Sequence, residues 1–178
     1  FHGMLETGFH VPGRGRNMLD TGAHFYDVYE CSDGEWISLG SIEPQFYAEM
    51  VQRLGLDPDD FADQYDRDRW PELKQKVAAV VATRTRDEWD GILEGSDVCY
   101  APVLTVAEAA RHPHNVERGT FVEVAGLTQP GPAPRLSRTP GGISRPPAHP
   151  GQHTDEVLAL AGYDAGEILS LRESGAVS

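Results

Sequence analysis

The chain has 178 residues, of which 39% are hydrophobic, with nineteen glycines and thirteen prolines. That mixture predicts a modest core and much irregular chain. A net charge of −13 would be repelled by a phosphate backbone or an anionic bilayer, which argues against nucleic-acid and membrane-surface partners.

No apolar run approaches the ~20 residues of a membrane span. Cys31 and Cys99 are too few and too far apart for a disulfide framework, and no adjoining Cys/His set suggests zinc. A reduced, cytoplasmic setting is therefore expected.

Residues 1–24 are rich in glycine with little periodicity and read as a linker. Two β-prone runs, Tyr26–Glu30 and Trp36–Leu39, then flank Asp33-Gly34, a hairpin signal. From Pro44 to Leu54 the residues Phe46, Tyr47, Met50, Val51 and Leu54 recur at helical spacing, and Gly55 closes the run. After a "DPDD" loop, "RDRWPELKQKVAAVVAT" reads as a second helix. Pro71 suits its first turn, and Leu73, Val77, Val80 and Val81 form its stripe. Thr85 with Glu88 three residues on has the spacing of a capping box for a third helix, whose Trp89, Ile92 and Leu93 face inward. "VCYAPVL" reads as a short buried strand or extended segment ending at Pro102, Thr105–Ala110 as a helix broken by "HPHN", and "GTFVEVAG" as another strand.

Residues 126–152 are dense in Pro, Gly, Ser and Arg and read as an extended linker. Thr154–Ala161 and Ala165–Glu173 read as two short helices followed by Gly162 and Gly175. The organisation expected is thus a linker at 1–24, a small α+β domain at 25–125, a return linker at 126–152 and a C-terminal helical segment at 153–178. The apolar residues Val157, Leu158 and Leu160, with Ile168, Leu169 and Leu171, need a surface to dock on. The start at Phe1 without a methionine adds to the expectation of a piece of something longer.

Few residues offer chemistry by pattern alone. Glu43 stands between a strand and a helix. It is either a helix-end charge favoured by the dipole or a carboxylate held rigid to orient a histidine. In "HPH" the intervening Pro113 spoils an i,i+4 presentation, and no acid or thiol adjoins. No G-x-S-x-G, G-x-G-x-x-G or P-loop occurs. The arginines of "GRGRN", Arg14 and Arg16, could meet phosphate or carboxylate, though a solvated linker explains them better. Met50, Trp36, Trp70 and Trp89 are read as core.

The stretch "GRGRNMLDTGAHFYDVYECSDGEWISLGSIEPQFYAEM" resembles the α-methylacyl-CoA racemases of the family III CoA-transferase superfamily. The likeness continues at "DVCYAPVLTVAEAARHPHNVERGTF", at "PAPRLSRTPG" and in the tail. It implies the later half of such a protein. The small α+β domain carries a hairpin or sheet with helices; a long linker follows, and C-terminal helices dock on a Rossmann-like large domain absent from this chain. It also implies an interlocked homodimer, an acyl-CoA substrate of fatty-acid metabolism and no separate cofactor, CoA being part of the substrate. "IEPQFY" matches the motif of a glutamate that hydrogen-bonds the large domain's catalytic histidine, so Glu43 takes that role. Tyr26 resembles a tyrosine near the same site, and Met4 and Met18 are assigned to an apolar acyl-binding surface. The superfamily's CoA transferases generally lack the Glu-Pro-Gln pattern. His24 and Tyr100 depart from the family's pattern, which leaves the shape of the acyl chain open. The alternatives to a racemase are a CoA transferase and a non-catalytic dimerisation module.

Overall fold

The computed structural model describes residues 1–178, which divide into two compact units, Phe1–Thr105 and Val106–Ser178. In the first unit, His2–Glu6 forms a short helix, α1, where the sequence led us to expect only irregular chain. Residues 10–22 then knot around the buried Asn17. Its amide donates to Asp20 Oδ2 at 2.9 Å and to the Val11 carbonyl at 3.0 Å, and its oxygen accepts from Val11 N–H at 2.8 Å. Gly22 closes this knot: a Cβ there would lie 2.5 Å from the Asn17 carbonyl oxygen. Ala23, His24 and Phe25 follow straight into the core.

Tyr26–Glu30 (β1) and Trp36–Gly40 (β2) pair antiparallel, with Tyr26 opposite Gly40 and Glu30 opposite Trp36. Period-two alternation sends Tyr29, Ile37 and Leu39 inward. Tyr100–Val103 (β3) joins β2 antiparallel, completing a sheet of order β1-β2-β3. The expectation of a buried strand is corrected here. β3 is an edge strand alternating between half-buried and exposed residues, which is where a proline such as Pro102 is tolerated. Trp36 is corrected too: it shares the outward parity of β2 and is 40% exposed.

Three helices cover the inner face of the core. Pro44–Arg53 (α2) buries Tyr47, Met50 and Val51. Trp70–Val81 (α3), with its early proline, buries Trp70, Leu73, Val77 and Val81. Arg86–Leu93 (α4) buries Trp89 and Leu93 and starts on the expected capping box: Thr85 N–H donates to Glu88 Oε2 at 2.8 Å, and Glu88 N–H donates to Thr85 Oγ1. The two buried indoles satisfy their N–H groups on backbone carbonyls, Trp70 on Gln64 and Trp89 on Val81.

The second unit holds Val106–Ala109 (α5), Pro113–Glu117 (α6), strands Phe121–Val124 (β4) and Leu127–Pro130 (β5), then Thr154–Leu160 (α7) and Ala165–Glu173 (α8). "HPHN" does not merely break a helix; Pro113 occupies the first turn of a new one. The strand β5 lies in residues read as linker. Ala125 and Gly126, both at positive φ (53° and 78°), form a tight turn that folds it back on β4. Asp155 and Arg172 tie α7 to α8 at 2.8 Å. No residue of this unit is buried.

Candidate active site

Glu43 is the N-cap residue of α2, with extended backbone (φ −72°, ψ 140°), and its side chain makes no capping bond. The carboxylate is exposed, while its backbone carbonyl accepts from Tyr47 N–H at 2.9 Å. The side chain thus does not cap the helix, and its carboxylate stands free at the end where the dipole favours a negative charge.

The backbone leading to Glu43 is pinned from several directions. Ser41 N–H donates to the Phe25 carbonyl at 3.0 Å, and the buried Ser41 hydroxyl donates to the Val98 carbonyl at 2.6 Å. The buried Gln64 amide donates to the carbonyls of Ser41 and Ile42 at 3.1 and 2.8 Å. The Tyr65 hydroxyl adds a second donor to the Ile42 carbonyl at 2.8 Å. The loop carrying Gln64 and Tyr65 is itself tied to α3, because Asp60 meets Arg69 at 2.6 Å and also pairs with Lys76. Hydrogen bonds from Lys76 and Arg69 hold the Asp60 carboxyl below its usual range.

One turn into α2, the Tyr47 hydroxyl donates to the Phe61 carbonyl at 3.0 Å and lies 2.8 Å from His24 Nε2. A phenol has one proton, so His24 must be the donor in that contact, which fixes its Nε2–H tautomer. His24 is fully buried among the rings of Phe25, Tyr47 and Phe61. Burial, with the nearby positive charge of Arg69 adding to it, pushes its pKa down to about 4. The imidazole is therefore neutral at pH 7, and its Nδ1 has no hydrogen-bond partner. An unpaired acceptor costs less than an unpaired donor or a buried cation.

Tyr26 lines a cleft of about 340 Å³ with Thr21, Asp27, Ser38, Gly40 and Cys99. The Tyr26 ring packs over Gly40, where a Cβ would sit 3.7 Å from Cε2. At the cleft's edge, Cys99 feels the Glu43 charge. Its thiol pKa is raised first by burial, then by the Glu43 charge and that of Asp97. Met4 and Met18 lie elsewhere, in a second cleft of about 180 Å³ shared with Phe1, Phe9, His10 and Arg67. Tyr26 and the two methionines thus line separate clefts, and Glu43 lines neither of them. Pattern reasoning missed the supports of Glu43. Gln64 and Tyr65 sit in an acidic loop without periodicity, and nothing local signals a bond spanning 22 or 23 residues.

An antiparallel three-stranded sheet backed by helices, with an exposed carboxylate at a strand-to-helix junction, defines a small α+β domain. The chain belongs to CoA-transferase family III, whose family model matches residues 3–154. The mouse protein named alpha-methylacyl-CoA racemase is 47% identical over 161 residues, 89% of this chain and 42% of its own length. The succinyl-CoA–D-citramalate CoA-transferase of Chloroflexus aurantiacus is 25% identical over 92% of this chain and 43% of that protein. Among solved structures, Rv3272 from M. tuberculosis superposes with a TM-score of 0.58 over 72% of this chain and 37% of its own, at 22% identity, so it supports the fold alone. The chain spans less than half the length of these relatives.

Proposed function

We propose that this chain is the small-domain part of a racemase that inverts the α-carbon of 2-methylacyl-CoA thioesters by 1,1-proton transfer. The observation that carries this reading is the identity of 47% to a racemase against 25% to a CoA-transferase over comparable spans. In the mechanism, a histidine of the missing large domain takes the α-proton on one face. The enolate collapses by accepting a proton from an aspartic acid on the other face, so no proton is gained or lost. Glu43 accepts the second N–H of that imidazole, fixing its tautomer and raising its basicity. The uncapped, exposed carboxylate on a pinned backbone suits that task. Tyr26 contributes to the substrate cleft, Met4 and Met18 to an acyl-binding surface, and CoA enters as part of the substrate with no further cofactor. The complete enzyme works as an interlocked homodimer in the cytoplasm.

The isolated chain should exchange no α-proton of a 2-methylacyl-CoA thioester in heavy water. Deuterium uptake above the enzyme-free blank would overturn the division of the site between two domains. In the complete enzyme, Glu43→Gln should slow exchange roughly a hundredfold with folding intact; an unchanged rate would remove Glu43 from the site. Transfer of CoA to a second carboxylic acid, with no epimerisation of a lone acyl-CoA, would instead mark a CoA transferase.

A further inference from the structure

Glu43 has no side-chain anchor of its own at the helix end, so the direction of its carboxylate depends on where the backbone of residues 41–43 is held. The group that holds it most directly is Gln64. It is 6% exposed, it comes from a loop rather than from the sheet or α2, and one amide nitrogen spans two consecutive carbonyls, at 3.1 Å on Ser41 and 2.8 Å on Ile42. Glu43 is the next residue. The Tyr65 hydroxyl reaches the same Ile42 carbonyl from an exposed ring. A peptide whose carbonyls are gripped in this way cannot rotate without breaking buried hydrogen bonds.

We propose that Gln64, assisted by Tyr65, is a positioning residue for Glu43, setting the aim of the carboxylate at its histidine partner. The inference rests on the proposed role of Glu43 and adds a residue that acts only through it. Gln64 touches no reacting atom. Its effect is to remove the sub-ångström drift that costs an oriented catalytic group its advantage. The acidic loop of residues 57–69 thereby acquires a role beyond connecting α2 to α3.

The test is a double-mutant cycle in the complete enzyme, reading α-proton exchange. Gln64→Met keeps the side-chain length and removes both donors. It should lower kcat roughly tenfold to a hundredfold with KM little changed. In an Glu43→Gln background the same change should lower kcat no further, because the aim of a carboxylate that is gone has no value. Tyr65→Phe, at a site exposed enough to leave folding undisturbed, should lower kcat roughly threefold, again only when Glu43 is present. It keeps the test decisive if Gln64→Met does not fold. Equal losses in both backgrounds would make Gln64 and Tyr65 merely structural and overturn the proposal, as would wild-type kcat in the folded single variants. Failure of the Glu43 assignment itself is distinguishable, since Glu43→Gln alone would then be fully active.

Discussion

The two units of this chain solve the burial problem differently. In Phe1–Thr105 the inner face of a three-stranded sheet and the stripes of α2, α3 and α4 close on each other, and every buried hydrophobic residue lies between Ala23 and Val98. In Val106–Ser178 there are four helices and a hairpin but no buried residue; Val157, Leu160 and Leu169 are 58%, 82% and 57% exposed. Secondary structure in the second unit is therefore held by local devices: caps, a tight turn and ion pairs such as Arg145 with Glu156 and Arg172 with Asp155. Such devices contribute about 1 kcal/mol or less each, whereas core burial supplies most of a domain's stability. A helix can thus be well formed in both units while only one of them has a core of its own.

The contrast breaks most visibly under truncation of a large side chain. Trp89, 2% exposed, lies in the first unit's core with its indole N–H on the Val81 carbonyl. Trp89→Ala should lower unfolding stability by about 3–5 kcal/mol in a denaturant titration. Leu160→Ala, the corresponding loss of an apolar side chain in the second unit, should change it by less than about 0.5 kcal/mol. A Leu160→Ala effect comparable with that of Trp89→Ala would mean that α7 has a buried face after all.

The same contrast governs how much could be read from sequence. In α2, α3 and α4 the stripes of Tyr47, Met50 and Val51, of Leu73, Val77 and Val81, and of Trp89 and Leu93 reveal both helix and core, because burial imposes a 3.6-residue period. β5 offers no such pattern. Leu127-Thr128-Gln129-Pro130 pairs because the Ala125-Gly126 turn folds it back, not because one of its faces is buried. Trp36 misleads because its size suggests core, while its parity with Ser38 and Gly40 places it outward. At the site, the junction that carries Glu43 was legible. The bond from Gln64 was not, since it is set by tertiary folding of a loop and leaves no periodic trace.

Acid should discriminate the units next. His24 has a pKa of about 4 in the folded chain against 6.5 as a free side chain. The unfolded chain therefore takes up the proton first as pH falls. The contribution is complete above pH 6.5 and is lost progressively down to about pH 4, amounting to about 3 kcal/mol. Other carboxylates titrate in the lower part of this window, so the measurement is a difference. Unfolding stability of wild type minus that of His24→Phe should fall by about 3 kcal/mol from pH 6.5 to pH 4. Phenylalanine keeps the aromatic packing and leaves Tyr47 free to donate to the Phe61 carbonyl. A flat difference would mean that His24 charges where it lies.

The smallest effect sharpens the comparison furthest, because the two units carry the same device. The Thr85–Glu88 box starts α4, and an Asp164–Glu167 box starts α8, with Asp164 Oδ1 accepting from Gly166 and Glu167 N–H at 2.8 and 2.9 Å. Removing either oxygen leaves orphan N–H groups worth about 1 kcal/mol. In α4 that loss is coupled to a helix packed through Trp89 and Leu93, so Thr85→Ala should lower the cooperative unfolding free energy by about 1 kcal/mol. In α8 no buried side chain transmits it. Asp164→Ala should therefore speed amide exchange across Ala165–Glu173 while leaving the cooperative transition in place. A shift of that transition equal to the Thr85→Ala shift would show that α8 unfolds with the core, and the two units would then be one in stability despite their different burial.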